Sequence, residues 1–218
     1  MPWLTPESKP PPLTAVWTHA MGSEILTYLR LGLHHIADLR GYDHILFIAA
    51  LTVAYRPAEW RRLLWLVTAF TLGHSVTLAL ATLDLVRVNA RLVETGIALT
   101  IVISSLMAIA LAVRSEARAS AARGQSLRYL LAASFGLIHG LGFSTFLRSL
   151  LGGEESIVVP LFSFNVGLEV GQLLIVAAVL GIGMMAELVL RLDRRDWVLV
   201  VSGGIAALGV RMVLERMA

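Results

Sequence analysis

Cysteine is absent from the 218 residues, which excludes disulfides, thiolate metal sites and a cysteine nucleophile while leaving the compartment open. Charge is scarce as well. Asp, Glu, Lys and Arg make up 15% of the chain, against about 25% in soluble globular proteins. Lysine occurs once, at Lys9, and the seventeen arginines stand singly or in small groups between apolar runs. None forms a basic patch interleaved with aromatics, so nucleic acid is excluded as a partner despite the net charge of +3. The first 24 residues contain five prolines and no apolar core segment, so they are not read as a cleavable signal peptide. No His-Glu-x-x-His motif occurs anywhere.

What fills the chain is apolar. Hydrophobic residues are 57% of the total and the mean hydropathy is +0.76, which rules out a water-soluble globule. Crossing a hydrocarbon core takes about 20 apolar residues, and six runs approach that length: 42–55, 63–85, 92–113, 129–151, 158–190 and 197–212. The expected fold is therefore all-α, a polytopic membrane bundle of about six transmembrane helices. Residues 1–22 form an extramembrane or interfacial lead-in, with Trp3 and Trp17 at headgroup level, and 23–218 form the membrane domain. The first run is short. Residues 25–36 are expected to enter the membrane as a broken or re-entrant helix, with Gly32 and Gly41 permitting the break.

With the N-terminus outside, the inner loops hold ten arginines, Arg114 and Arg118 among them, and the outer loops after the first span only Arg87, Arg91 and Arg148. That asymmetry places both termini outside an inner (plasma) membrane of bacterial type. A Gly-x-x-His start recurs at Gly41 and Gly136, which hints at two three-helix halves of inverted topology.

Ionisable groups inside these runs are few and expensive, about 2.5 to 3.5 kcal/mol for an Asp at mid-membrane. Asp43 and His44 open the first span, either as bundle-facing groups or as a helix cap with an interfacial ring. His74 lies in a run with Thr68, Thr71 and Ser75, and His139 among Gly136, Gly140 and Gly142, where the helix either packs closely or unwinds. Asn165, Glu169 and Gln172 recur at i, i+4 and i+7 and share one helix face, as an oxygen-rich stripe or as interhelical hydrogen bonds. His35 and Glu94 sit near span boundaries, and His19 and His34 read as exposed. Taken together, Asp43, His44, His74, His139 and Glu169 come from four separate spans. They are tolerable if they converge, and a nitrogen/oxygen set without sulfur suits nickel, cobalt or zinc better than magnesium or calcium.

These segments resemble the HupE/UreJ family of hydrogenase and urease accessory membrane proteins, particularly its second subgroup. The resemblance rests on Gly32-Leu-His-His35-Ile36, Gly41-Tyr-Asp-His-Ile-Leu-Phe47, Phe70-Thr-Leu-Gly-His-Ser-Val-Thr-Leu78, Val93-Glu-Thr-Gly-Ile-Ala-Leu99, Phe135-Gly-Leu-Ile-His-Gly-Leu-Gly-Phe143 and Phe164-Asn-Val-Gly-Leu-Glu-Val-Gly-Gln172. It implies a permease whose substrate is a divalent nickel or cobalt ion. It also implies His35, Asp43, His44, His74, His139 and Glu169 as metal contacts, with Ser75, Glu94, Asn165 and Gln172 in support. The Asp-His and Gly-His-Ser pairs are similar to signatures of the larger nickel/cobalt transporter group. That group carries His-x4-Asp-His, whereas here His35 precedes Asp43 by eight positions.

Two other functions use the same ligands. An intramembrane hydrolase or protease would hold zinc, with Glu169 or Asp43 as general base on a bound water. A sensor or accessory subunit would bind the ion without moving it. In each case the partners are the metal ion and the lipid bilayer, with a homo-oligomer as a further option.

Overall fold

The computed structural model describes residues 13–113, 121–151 and 156–218. Trp3, Arg114 and Arg118 lie outside the described residues, as do the side chains of Trp17 and His19. Among the described residues the fold is all-helical: α1 (Leu13–Ala37), α2 (Asp43–Thr52), a 3-10 turn (Pro57–Glu59), α3 (Trp60–Thr82), α4 (Ala90–Val113), α5 (Ala121–Leu151), α6 (Val158–Leu188) and α7 (Arg194–Met217). Four stretches are long and apolar enough to cross a bilayer: α3 with its preceding turn, α4, α6 and α7. The chain is an integral membrane helix bundle.

Helices α4, α5 and α7 outlast the apolar runs that announce them, whereas α2 and α6 stop short of theirs. α5 starts about two turns before the run that begins at Tyr129, because its first turns carry Gln125 and Arg128. Those two meet Tyr55 through a hydrogen bond and a cation–π contact. Apolarity marks the part of a helix inside hydrocarbon, whereas hydrogen bonding carries the helix beyond it.

α2 has only ten residues and is about 15 Å long, half of a hydrocarbon core. The missing length comes from α1. Ile25 and Leu29 sit beside the start of α6 at Val158–Val166, Gly32 lies against Phe164 and Leu168, and Leu33 and Ile36 reach Gly171. α2 continues beside the second half of α6, where Val53 packs with Val179. α1 and α2 therefore run in the same direction along one partner, interrupted at residues 38–42. The break falls at Gly41 and not at Gly32. Gly32 stays helical because its missing side chain lets α1 lie directly on the α6 backbone at the Phe164 carbonyl, where a methyl group would overlap.

The same device joins α3 to α5. Gly73 faces the Ala133 carbonyl, Gly136 the Phe70 carbonyl and Gly140 the His74 carbonyl, so the two backbones touch on both sides of His74. Of the two readings of the glycines around His139, close packing is the one observed, and α5 is unbroken through them. Helices α2, α4 and α6 run toward one end of the bundle and α3, α5 and α7 toward the other. The sets α2–α4 and α5–α7 thus have the opposed directions of two inverted halves.

The two ends differ in charge. One gathers Asp43, Asp84, Glu94, Arg148 and Arg216. There Asp84 turns the chain with a positive φ of 61° and binds Arg87 and Arg148. Its carboxyl is held below the ordinary range mainly by the Arg87 hydrogen bond, with the Arg148 charge adding. The other end carries Arg194, which bonds the Val53 and Tyr55 carbonyls and Glu187.

Candidate metal centre

The break between α1 and α2 brings two histidines of different helices to one point. His35 belongs to the last turn of α1 and His44 to the first turn of α2, and His74 meets them from the middle of α3. One ring nitrogen from each lies within 4.8 Å of the other two. The ring centroids are 4.7 Å apart for His35 and His44, 6.1 Å for His35 and His74 and 6.5 Å for His44 and His74. Two nitrogens bound to one ion at about 2.1 Å each stand at most about 4.2 Å apart.

All three rings carry unpartnered nitrogens. The Nε2 atoms of His35 and His44 and both ring nitrogens of His74 are buried without a hydrogen-bond partner, and His74 is fully enclosed. Buried polar atoms are normally paired, so several orphans converging on one point mark a place where a ligand supplies the missing bond. Phe143 and Phe164 lie against the His35 ring, at 3.9 and 5.7 Å between centroids, and hold it among apolar surfaces.

His139 adjoins this group from α5, its ring 5.0 Å from that of His44. Its Nε2 lies 2.9 Å from the Thr100 hydroxyl, which spends its single proton on the Ile97 carbonyl at 2.7 Å. The Thr100 oxygen therefore accepts, His139 carries its proton on Nε2, and the unpartnered Nδ1 keeps a free lone pair. Thr100, which sets the orientation of the His139 ring, was passed over by sequence reasoning; its signal was a hydroxyl inside a span, repeated four residues on at Ser104.

The carboxylates are engaged with partners other than the imidazoles. Asp43 accepts a bond from the Arg216 guanidinium at the mouth of the site. Glu169 accepts from the Thr68 hydroxyl at 2.6 Å and Gln172 from Thr71 at 2.9 Å, so the i, i+4, i+7 face of α6 forms a ladder with α3. Asn165 continues that face, donating to the Leu161 carbonyl and leaving a buried oxygen unpartnered. Ser75 donates to the Thr71 carbonyl. Glu94 is exposed, and with His35, Asp38, Asp43, His44 and Arg216 it lines a cavity of about 310 Å³ that reaches the histidines from the Arg216 end. Asp38 and Arg216 were not foreseen as neighbours of the site.

Three neutral imidazoles with a fourth alongside make a nitrogen site of borderline softness, suited to nickel, cobalt or zinc and poor for the oxygen-seeking magnesium and calcium. In comparisons with known proteins, the family described as HupE / UreJ protein matches residues 13–216, a span that includes all four helices of this site. No curated protein and no solved structure matches the chain.

Proposed function

This chain belongs to the HupE / UreJ protein family, and from that membership we infer that it is a permease for divalent nickel or cobalt in a bacterial inner membrane. The observation that supports this reading most is the cluster of His35, His44 and His74, with unpartnered nitrogens converging inside a membrane bundle. His139 adds a fourth donor with its lone pair free.

The substrate ion reaches the cluster from the Arg216 end, shedding water as imidazole nitrogens replace it. Binding falls as the pH is lowered, because a proton and the ion compete for the same lone pairs. Beyond the cluster, Val53, Ala108 and Val198 pack into an apolar plug toward the Arg194 end. Passage requires that plug to part. Movement of the α2–α4 set against the α5–α7 set is the step we assign to release. Arg56, Arg61, Arg62, Arg128, Arg191, Arg194 and Arg195 at the plugged end make it the cytoplasmic side, with both termini outside.

Three imidazoles that leave a coordination position open are also the ligand set of a zinc hydrolase. That chemistry needs a base beside the bound water. Here the three-histidine cluster contains no carboxylate and Glu169 bonds Thr68 on α3, which favours transport.

The test is nickel and cobalt accumulation, by elemental analysis, in cells expressing wild type, His74→Ala or His139→Ala at matched protein levels. Saturable uptake by wild type and its loss in His74→Ala is the expected result. Metal that co-purifies with wild type while no uptake occurs would transfer the chain to the non-transporting accessory class.

A further inference from the structure

We propose that Arg216 is a built-in substitute cation: it occupies the mouth of the metal site on Asp43 and gives that carboxylate up to the arriving divalent ion. The proposal rests on the permease reading and adds to it the residue that sets the threshold for entry.

The mouth is the cavity of about 310 Å³ lined by Asp38, Asp43, Glu94 and Arg216, with His35 and His44 at its inner side. A hexahydrated ion needs roughly 180 Å³, from six waters at about 30 Å³ each, so it fits before losing any water. Three carboxylates and one guanidinium leave the cavity two negative charges when the imidazoles are neutral, which is the charge a divalent cation cancels.

Arg216 is anchored twice. One guanidinium nitrogen donates to Asp43 Oδ2, and another donates to the Glu94 backbone carbonyl at 2.6 Å. Its own carbonyl receives the Arg91 Nε hydrogen bond at 3.0 Å, which ties the end of α7 to the start of α4. The carbonyl bonds hold Arg216 at the mouth whether or not Asp43 is present. The ion pair is about one-fifth exposed on both sides, so water and ions reach it. Asp43 directly precedes His44, whose Nε2 is buried and unpartnered. A carboxylate released by Arg216 therefore stands next to a waiting ligand. An ion with too little charge to displace a guanidinium leaves the mouth shut, which selects divalent over monovalent cations before the imidazoles are reached.

The experiment is calorimetric titration of Co2+ into purified full-length wild type, Arg216→Gln, Arg216→Lys, Asp43→Asn and the Asp43→Asn/Arg216→Gln double variant, with thermal unfolding measured on each. Arg216→Gln is expected to bind Co2+ roughly two- to fivefold more tightly, the scale of a partly exposed ion pair. Asp43→Asn is expected to bind more weakly, and in its background Arg216→Gln tightens binding by less than it does with Asp43 present, whereas an equal gain in both backgrounds overturns the proposal. Equal or weaker binding by an Arg216→Gln protein with the wild-type unfolding temperature overturns the proposal and leaves the permease reading standing. If the Gln variant does not hold its fold, Arg216→Lys decides, since its ammonium lacks the fork that bridges Asp43 and the Glu94 carbonyl: tighter binding than wild type supports the proposal, and equal or weaker binding overturns it. Wild type that binds no Co2+ at all overturns the permease reading, and this one with it.

Discussion

Arg194 and Arg216 hold opposite ends of the ten-residue α2, each through a backbone carbonyl and a carboxylate, but in different surroundings. Arg194 bonds the Val53 and Tyr55 carbonyls, which end α2 and have no other donor to turn to, and pairs with Glu187. Close by, Val53, Ala108 and Val198 form a dry contact. Arg216 takes the Asp43 carboxylate, a group that a metal ion can also claim, and it does so on the wall of a water-accessible cavity. The same side chain type thus fastens one end of α2 and, under the proposal above, guards the other. What separates the two is the surroundings: the Arg194 acceptors lie beside a dry contact, whereas the Asp43 carboxylate faces a cavity of ion size.

Mutations separate the two ends further. The largest effect is expected at the donors themselves: His44→Ala removes one of three converging imidazoles and should lower Co2+ affinity by more than about 100-fold, beyond what loss of an outer partner costs. Calorimetry on the purified variant checks it. Next comes the scaffold that presents them. Gly136→Ala forces a methyl group into the Phe70 carbonyl and should destabilise the bundle by about 1–3 kcal/mol, read as a lowered unfolding temperature. Arg194→Gln should cost about 1–2 kcal/mol in the same assay, because two carbonyls lose a charged donor, while Co2+ affinity stays at the wild-type value. A fall in affinity there would erase the distinction between the ends. The smallest effect belongs to Glu169→Gln. The amide oxygen still accepts from Thr68, so affinity should change by less than about twofold unless the carboxylate binds the ion directly.

The contrast also explains what was readable in the sequence. Histidines inside apolar runs are costly, so His44, His74 and His139 announce themselves, and the helical class follows from the runs alone. His35 was harder. Its eight-residue separation from Asp43 looks wrong for a shared site until residues 38–42 are known to be a break that returns α2 toward the end of α1. The place of that break depends on α6, because the Phe164 carbonyl keeps Gly32 helical, and no local pattern carries that information. Glu169 shows the limit of periodicity. The i, i+4, i+7 spacing correctly put Asn165, Glu169 and Gln172 on one face of α6, yet which neighbour that face meets is a tertiary matter, and the neighbour is the Thr68 and Thr71 side of α3. Arg216 pairs with a residue 173 positions away and stands in the last turn of α7, where an arginine is ordinary. Only the folded bundle brings it to the mouth of the candidate metal site.

The central claim is that imidazoles from α1, α2 and α3 bind one ion together. X-ray absorption on the Co2+-loaded protein, compared with His74→Ala, tests it most directly. Three imidazole nitrogens at about 2.0–2.1 Å in wild type, one fewer in the variant, is the predicted result. An all-oxygen shell that the substitution leaves unchanged would contradict it.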